Sequence, residues 1–338
     1  MGDPGGRGGV SEDVLVVGGG VLGLTTAVVL AEAGRRVRVV TREPAARTTS
    51  AAAGALWEPY RAHPADRVAG WARRTLDTLT ALAATPDETG VRMVAGLKAA
   101  RSASFRLPSW VAGLPAELRP SLISEGLPAG YRAGYRARLP LLDMPAYLGH
   151  LERRLAAAGG VLERRALASL AEAAREAPAI VNCAGLGARE LVPDPLLRPV
   201  RGQLVVVAQP TPRVDEWFAE SPDEAVRDPA GGTELLYVLP QPEIVVLGGT
   251  AHEDRGDTDP DPELAARIVE RAAAFDPRLG AARVLDHRVG LRPYRPAIRL
   301  EREALPGGAV CVHNYGHGGA GVTLSWACAS DAAALLTG

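Results

Sequence analysis

Lysine is all but missing from this chain: Lys98 stands alone among 38 basic residues, and every other one is arginine. Aromatic residues make up only 4% of the 338 positions, and there are three cysteines and three methionines. Each scarcity excludes something. Cys183, Cys311 and Cys328 are odd in number, far apart and form no CxxC pair, so neither a disulfide framework nor a structural zinc is expected. Reduced thiols in a cytoplasmic protein are the default. No strong charge of either sign is present: the net charge is −1, which gives no reason to expect nucleic acid or an anionic membrane as partner. No apolar run reaches the length of a membrane span. The opening MGDPGGRGGVSED lacks a signal-peptide pattern and reads as a flexible tail over residues 1–11. The closing LLTG is not a peroxisomal address. An arginine bias beside abundant Ala, Gly and Pro points to a GC-rich, bacterial genome. With 47% apolar and 23% charged residues, the chain is a globular protein of two domains or one interleaved unit.

Glycine is plentiful, and its placement is informative. Val14–Val17 is an apolar run of β type, followed at once by GGGVLGL. Gly18, Gly20 and Gly23 satisfy GxGxxG; Leu24–Ala33 then reads as a helix ending at Gly34, and Arg36–Val40 as a second strand. In this setting the first glycine permits a tight turn, the second lets backbone approach a pyrophosphate, and the third lets helix pack on strand. The phosphates meet free N–H groups at the positive end of the helix dipole. An acidic residue is expected at the end of the second strand to hold a ribose hydroxyl. The chain offers Thr41-Arg42-Glu43 there. Glu43 could serve, or the Thr41 hydroxyl; Arg42 could instead meet a 2′-phosphate, which leaves NADP open.

RTTSAAAGALWEPY (Arg47–Tyr60) narrows the choice. Thr48, Thr49 and Ser50 are poor helix and strand material but good anion hydrogen-bonders, and the small run Ala51–Ala55 would let backbone pass along a flat ring. A nicotinamide dehydrogenase does not need this second contact. FAD does, because its isoalloxazine ring must be held far from its adenine. A further glycine-rich stretch, HNYGHGGAGVT, follows a strand at Ala309–Val312. His313 and His317 sit at i, i+4, but the glycines at 316, 318 and 319 argue against a metal-binding helix, so no metal is expected and both histidines read as packed loop residues.

Five blocks, GGGVLGL, TTSAAAGALWEPY, VNCAGLGARELVPDPLLRPVRGQ, VGLRPYRPAIRLERE and HNYGHGGAGVTLSW, occur in order along nearly the whole chain. Together they resemble the D-amino acid oxidase family. The resemblance implies an α/β protein: a discontinuous, Rossmann-like FAD-binding domain (12–60, 145–200 and 285–338) and a substrate-binding domain with a large mixed or antiparallel sheet (61–144 and 201–284). Runs at Gln203–Val207, Leu235–Leu239 and Ile244–Leu247 suit that sheet. It also implies non-covalent FAD, held by Gly18, Gly19, Gly20, Val21, Leu22, Gly23, Thr41, Arg42, Thr48, Thr49, Ser50, Gly54, Ala55, Leu56, Leu167, Ala184, Gly318, Gly319, Ala320, Gly321, Val322 and Thr323. In such proteins the last glycine loop brings backbone N–H groups to the polar edge of the flavin, and Val322–Leu335 would be the helix whose dipole favours negative charge on the reduced ring.

An α-amino acid carboxylate calls for a planar, permanently charged, two-pronged partner, which arginine supplies. Composition cannot choose among so many arginines. The resemblance selects Arg292, in VGLRPYRP, with Arg295 and Arg299 as surface or structural charges. It assigns Tyr237 a hydroxyl contact to the same carboxylate and the Gly319 carbonyl a bond from the substrate amine. Where some relatives carry a second pocket tyrosine on a lid, this chain has Thr233 in the short turn PAGGT, so a reduced lid is expected. The implied reaction is oxidative deamination of neutral D-amino acids by hydride transfer to flavin N5, giving 2-oxo acids, ammonia and hydrogen peroxide, with O2 as acceptor and no enzyme base required. Two alternatives stay open. One is D-aspartate oxidation, for which Arg227 is a candidate second cation although Ala251 after Gly248-Gly249-Thr250 favours neutral substrates. The other is glycine or sarcosine oxidation. Oligomeric state is open, a homodimer included.

Overall fold

The computed structural model describes residues 13–337; the tail expected at 1–11 lies outside the described residues. In chain order the strands are β1 (Asp13–Val17), β2 (Arg36–Thr41), β3 (Val91–Ala100), β4 (Leu122–Ile123), β5 (Ala133–Leu142), β6 (Val161–Arg164) and β7 (Ala179–Asn182). They continue with β8 (Arg198–Ala208), β9 (Trp217–Glu220), β10 (Val226–Arg227), β11 (Thr233–Pro240), β12 (Ile244–Glu253), β13 (Val284–Ala304) and β14 (Val310–His317). All join one sheet in the order β4-β5-β3-β9-β11-β12-β8-β13-β14-β7-β1-β2-β6, with β10 appended to β11.

The two halves of this sheet differ for a chemical reason. β6, β2, β1, β7 and β14 run parallel to one another. β1 and β7 are buried on both faces and carry continuous apolar runs, as parallel strands covered by helices must. β11, in the other half, which is antiparallel except for the parallel pair β3 and β9, alternates buried and half-buried side chains, so one of its faces is left for a cavity. β13 joins the halves. Its first part, from Val284 to Tyr294, pairs with β8; its second, from Tyr294 to Ala304, pairs with β14, and the register shifts between Tyr294 and Arg299.

The helix Val21–Glu32 is apolar nearly all round, which only a helix buried between layers can be. It packs against the sheet, the helix Met144–Ala157 and the helix Gly321–Thr337. Polar pins fix that layer: Trp326 Nε1 donates to the Tyr147 hydroxyl at 2.8 Å, the Ala327 amide to Thr75 Oγ1 at 3.1 Å, and Trp71 Nε1 to Asp331 at 2.7 Å. Among the described residues no helix is long and apolar enough to cross a membrane, and Cys183, Cys311 and Cys328 are buried free thiols.

Two boundaries differ from the sequence reading. The first helix begins at Val21 rather than Leu24, because the Val21 amide donates to Ser50 Oγ at 2.9 Å, a cap supplied from 29 residues away. The last strand runs on through His317 instead of stopping at Val312, since pairing with β13 continues to Tyr294↔His317 despite the glycine at 316. The runs expected at Gln203, Leu235 and Ile244 lie within β8, β11 and β12.

Candidate active site

One continuous cavity of about 1150 Å3 extends from the GGGVLGL turn to the surface formed by β11, β12 and β13. Small-molecule pockets commonly fall near 300–1,000 Å3. A space of this size suits an extended cofactor with a further small molecule beside it.

At the nucleotide end, Gly18 has φ +111°, and a Cβ on it would fall 2.4 Å from the Cys183 carbonyl oxygen. A Cβ on Gly23 would fall 1.8 Å from the Gly18 carbonyl oxygen. The first glycine therefore permits the turn, and the third permits helix on strand. Gly18, Gly19, Gly20, Val21 and Leu22 line the cavity; Gly23 does not, being spent on that packing. Thr41 packs its side chain against Gly19 and donates to the Glu43 carbonyl at 2.8 Å. Arg42 is ion-paired with Glu190, which leaves its charge engaged rather than waiting for a 2′-phosphate. Glu43 lines the cavity with Oε2 buried and without a hydrogen-bond partner in the protein. A buried carboxylate oxygen lacking a donor is costly, and a ribose hydroxyl would remove the cost. The cradle thus fits a dinucleotide through Glu43, while Arg42, which also lines the cavity, has its charge paired with Glu190.

Thr48, Thr49 and Ser50 all line the cavity but are already hydrogen-bonded within the protein. Thr48 donates to the Ala45 carbonyl and Thr49 to the Leu291 carbonyl, while Ser50 accepts from Val21. Only Ser50 keeps its hydroxyl proton free to donate to an anion; the other two have lone pairs to offer. Gly54, Ala55, Leu56, Leu167, Ala184, Gly318, Gly319, Gly321, Val322 and Thr323 also line the space. Ala320 does not: it is fully buried in the core. Thr323 bonds to protein, accepting from the Glu58 amide at 3.2 Å and donating to the Glu58 carbonyl at 3.0 Å.

At the other end, Arg292 lies on β13 with its guanidinium over Gly202, where a Cβ would fall 2.4 Å from Nη1. It donates to the Thr250 carbonyl at 2.9 Å and has no ion pair among the described residues. A half-buried guanidinium with most of its donors free is an anion receptor. Tyr237 is half-buried on β11 and its ring lies over Gly248 and Gly249, each too close for a Cβ. Burial pushes its phenol up to about 12, with the Arg292 charge opposing the rise, so it is a hydroxyl donor at any working pH. A Cβ on Gly319 would fall 2.4 Å from the Tyr60 ring, which closes that position to any side chain. Arg295 and Arg299 are structural, as expected: the first pairs with Asp194, the second with Glu301, Glu303 and the Tyr315 hydroxyl.

The histidines occupy a strand, so four residues separate them by about 13 Å along it. No group of three or more ligands suited to a metal exists among the described residues. His313 contacts Glu303 at 2.8 Å and Asn182 at 3.3 Å. His317 lines the cavity, and burial lowers it to about 3, so it is a neutral imidazole. Thr233 lines the cavity beside a tight turn whose amides at Ala230 and Gly232 both donate to Asp228. Arg227 is exposed and absent from the lining. Sequence reasoning missed Glu58, Tyr60, Lys98 and Ala219, which line the substrate end. The one signal available was that Lys98 is the only lysine.

A parallel nucleotide cradle opening onto a walled anion receptor defines a dinucleotide-dependent oxidoreductase. More particularly, the chain belongs to the FAD dependent oxidoreductase family, whose sequence profile matches residues 13–335. It is 55% identical over 325 residues to a D-amino-acid oxidase of Streptomyces coelicolor, covering 96% of this chain and 97% of that protein. It is 50% identical over 329 residues to a D-amino-acid oxidase of Rubrobacter xylanophilus, covering 97% of each. Among solved structures, a glycine oxidase from Geobacillus kaustophilus superimposes with a TM-score of 0.78 at 19% identity, covering 96% of this chain and 95% of that one, a likeness of fold.

Proposed function

We propose that this protein oxidises neutral D-amino acids to 2-oxo acids, with one O2 and one water consumed and one ammonia and one hydrogen peroxide released per turnover. The observation that carries the reading is the Arg292 guanidinium, without an ion pair among the described residues, beside the Tyr237 phenol in the same cavity as the dinucleotide cradle. The names of the two relatives agree with it. Bound FAD supplies an acceptor for the substrate's α-hydrogen as hydride and returns the electrons to O2. Gly18–Gly20 and the N-terminus of Val21–Glu32 would hold its pyrophosphate, Glu43 a ribose hydroxyl, and Gly318, Gly319, Gly321, Val322 and Thr323 the polar edge of the ring.

The chain's own task is orientation. Arg292 takes the substrate carboxylate as a fork, the Tyr237 hydroxyl donates to it, and the Gly319 carbonyl accepts from the amine. His317, held neutral by burial, adds no charge and is a weak base there. D-aspartate oxidation loses its candidate cation, because Arg227 is exposed and does not line the cavity. In this reading residues 12–60, 145–200 and 285–338 form the FAD-binding part, which supplies the parallel run β6-β2-β1-β7-β14, and 61–144 with 201–284 form the substrate part. Three buried free thiols suit a cytoplasmic enzyme.

The test is an anaerobic absorption spectrum before and after D-alanine, and then L-alanine. Bleaching of flavin bands by the D form alone, with colour and peroxide returning in air, is expected. A flavin-bearing protein that neither enantiomer reduces would remove the pocket assignment.

A further inference from the structure

Lys98 is 3% exposed and ion-paired with Glu58, whose Oε1 also receives the Tyr135 hydroxyl at 3.4 Å. Lysine is almost never this buried without a partner, and in a chain otherwise confined to arginine its presence calls for a local reason. The strand registers supply one. Lys98 pairs with Ala219 on β9, Ala219 pairs with Tyr237 on β11, and Tyr237 pairs with Gly248 on β12. Directly paired residues project from the same face of a sheet. Lys98 and Tyr237 therefore stand in one transverse row on the cavity face, about 10 Å apart at two strand spacings. Ala219 between them leaves only a methyl group on the floor. Glu58 is fixed from behind by its two bonds with Thr323, at the start of the last helix.

We propose that Glu58 and Lys98 form the wall facing the substrate side chain and set the preference for neutral side chains by cancelling each other's charge. The inference rests on the D-amino acid reading above. Arg292 then remains the receptor for one carboxylate, and a second carboxylate meets a wall with no net charge. Arg61, the other cation near this end, is engaged by Glu253 at 2.9 Å. Removing either member of the pair leaves the other buried and unmatched, and a substrate side chain of opposite sign becomes its natural partner.

The experiment compares kcat/KM for D-alanine, D-glutamate and D-lysine in wild type, Glu58→Gln, Lys98→Gln and the double variant. Glu58→Gln is expected to raise the D-glutamate to D-alanine ratio on the order of 10- to 100-fold, the value of a charge-assisted hydrogen bond. Lys98→Gln is expected to raise the D-lysine ratio instead, and the double variant to raise neither. Glutarate, which cannot be oxidised, gives a second readout through the flavin spectrum. It should bind Glu58→Gln at least tenfold more tightly than wild type, about the least a charge-assisted hydrogen bond contributes. Ratios and glutarate affinity all within threefold of wild type would overturn the proposal, as would equal loss of FAD from both single variants, which would make the pair scaffold. If wild type leaves D-alanine unoxidised, the functional reading fails, while the glutarate titration still decides the wall.

Discussion

Replacing Arg292 by Ala isolates the interaction on which the functional reading depends. The side chain carries one structural hydrogen bond, to the Thr250 carbonyl at 2.9 Å, and no ion pair among the described residues. Its loss leaves one carbonyl to be hydrated from an open cavity, a small cost to the fold. Its loss to the substrate is larger, because a carboxylate carried into the cavity then has no cation. Truncating one member of a desolvated, hydrogen-bonded charge pair costs about 2–5 kcal/mol. In kcat/KM that is roughly 30-fold to several thousand-fold. FAD content is expected to persist, since the Gly18–Gly20 turn and the Ser50 cap do not involve Arg292. The assay is peroxide release across a D-alanine series, with flavin content read from the visible spectrum of each preparation. Arg292→Lys should fall between wild type and Ala, keeping the charge without the two-pronged geometry. An Ala variant with full flavin and kcat/KM within threefold of wild type would refute the reasoning.

Tyr237→Phe removes one neutral donor and should lower kcat/KM about 2- to 10-fold, mostly through KM, as steady-state kinetics would show. Because burial lifts the phenol to about 12, the wild-type pH profile should show no alkaline limb belonging to this tyrosine below roughly pH 11. Gly23→Ala places a Cβ 1.8 Å from the Gly18 carbonyl oxygen, so FAD affinity and stability should both fall, the latter by about 3 kcal/mol, in a thermal melt with and without added FAD. His317 has a folded pKa lowered to about 3. In the unfolded chain it takes its ordinary value near 6.5, so the unfolded state binds the extra proton between the two. Its contribution is then fully present above about pH 6.5 and is lost as pH falls, at up to about 1.4 kcal/mol per pH unit. His317→Gln should flatten the decline of Tm from pH 6.5 to 4, and an unchanged slope would reject the buried neutral assignment.

The nucleotide half was legible because its signals are local. A four-residue apolar strand, three spaced glycines and a second strand on schedule leave little freedom of interpretation. What escaped was whatever depends on partners far along the chain. Ser50 caps a helix that starts 29 residues before it, so the helix start was read three residues late. Arg42 lines the same cavity, but its ion pair with Glu190, 148 residues along, is invisible in the local sequence. Lys98 and Glu58 are 40 residues apart, one on a strand and one in a loop, and only strand register puts Lys98 in one row with Tyr237. The strand through His317 was cut short because glycine was read as loop, whereas pairing to β13 overrides that propensity. Arg292 itself emerged from resemblance to a motif; nothing in its local chemistry separates it from the other arginines.

If Arg292 holds the substrate as proposed, the choice of stereochemistry rests on one short structural link. Arg292 and the glycine turn that would meet the flavin belong to adjacent strands. Tyr294 pairs with His317, and the Gly318 amide donates to the Pro293 carbonyl at 2.9 Å. Arg292, the proposed carboxylate receptor, is therefore a single residue from a backbone hydrogen bond that anchors the turn. A substrate held by Arg292 is oriented against a surface that cannot drift independently of it. The opposite wall, built on β3, β9 and β11, reaches this link through β12 and β8. Substitutions on that wall should thus change which side chains are accepted, while the face of the α-carbon presented to the cofactor stays under the control of β13 and β14. An Ala219 or Lys98 variant that began to oxidise L-amino acids would contradict that division.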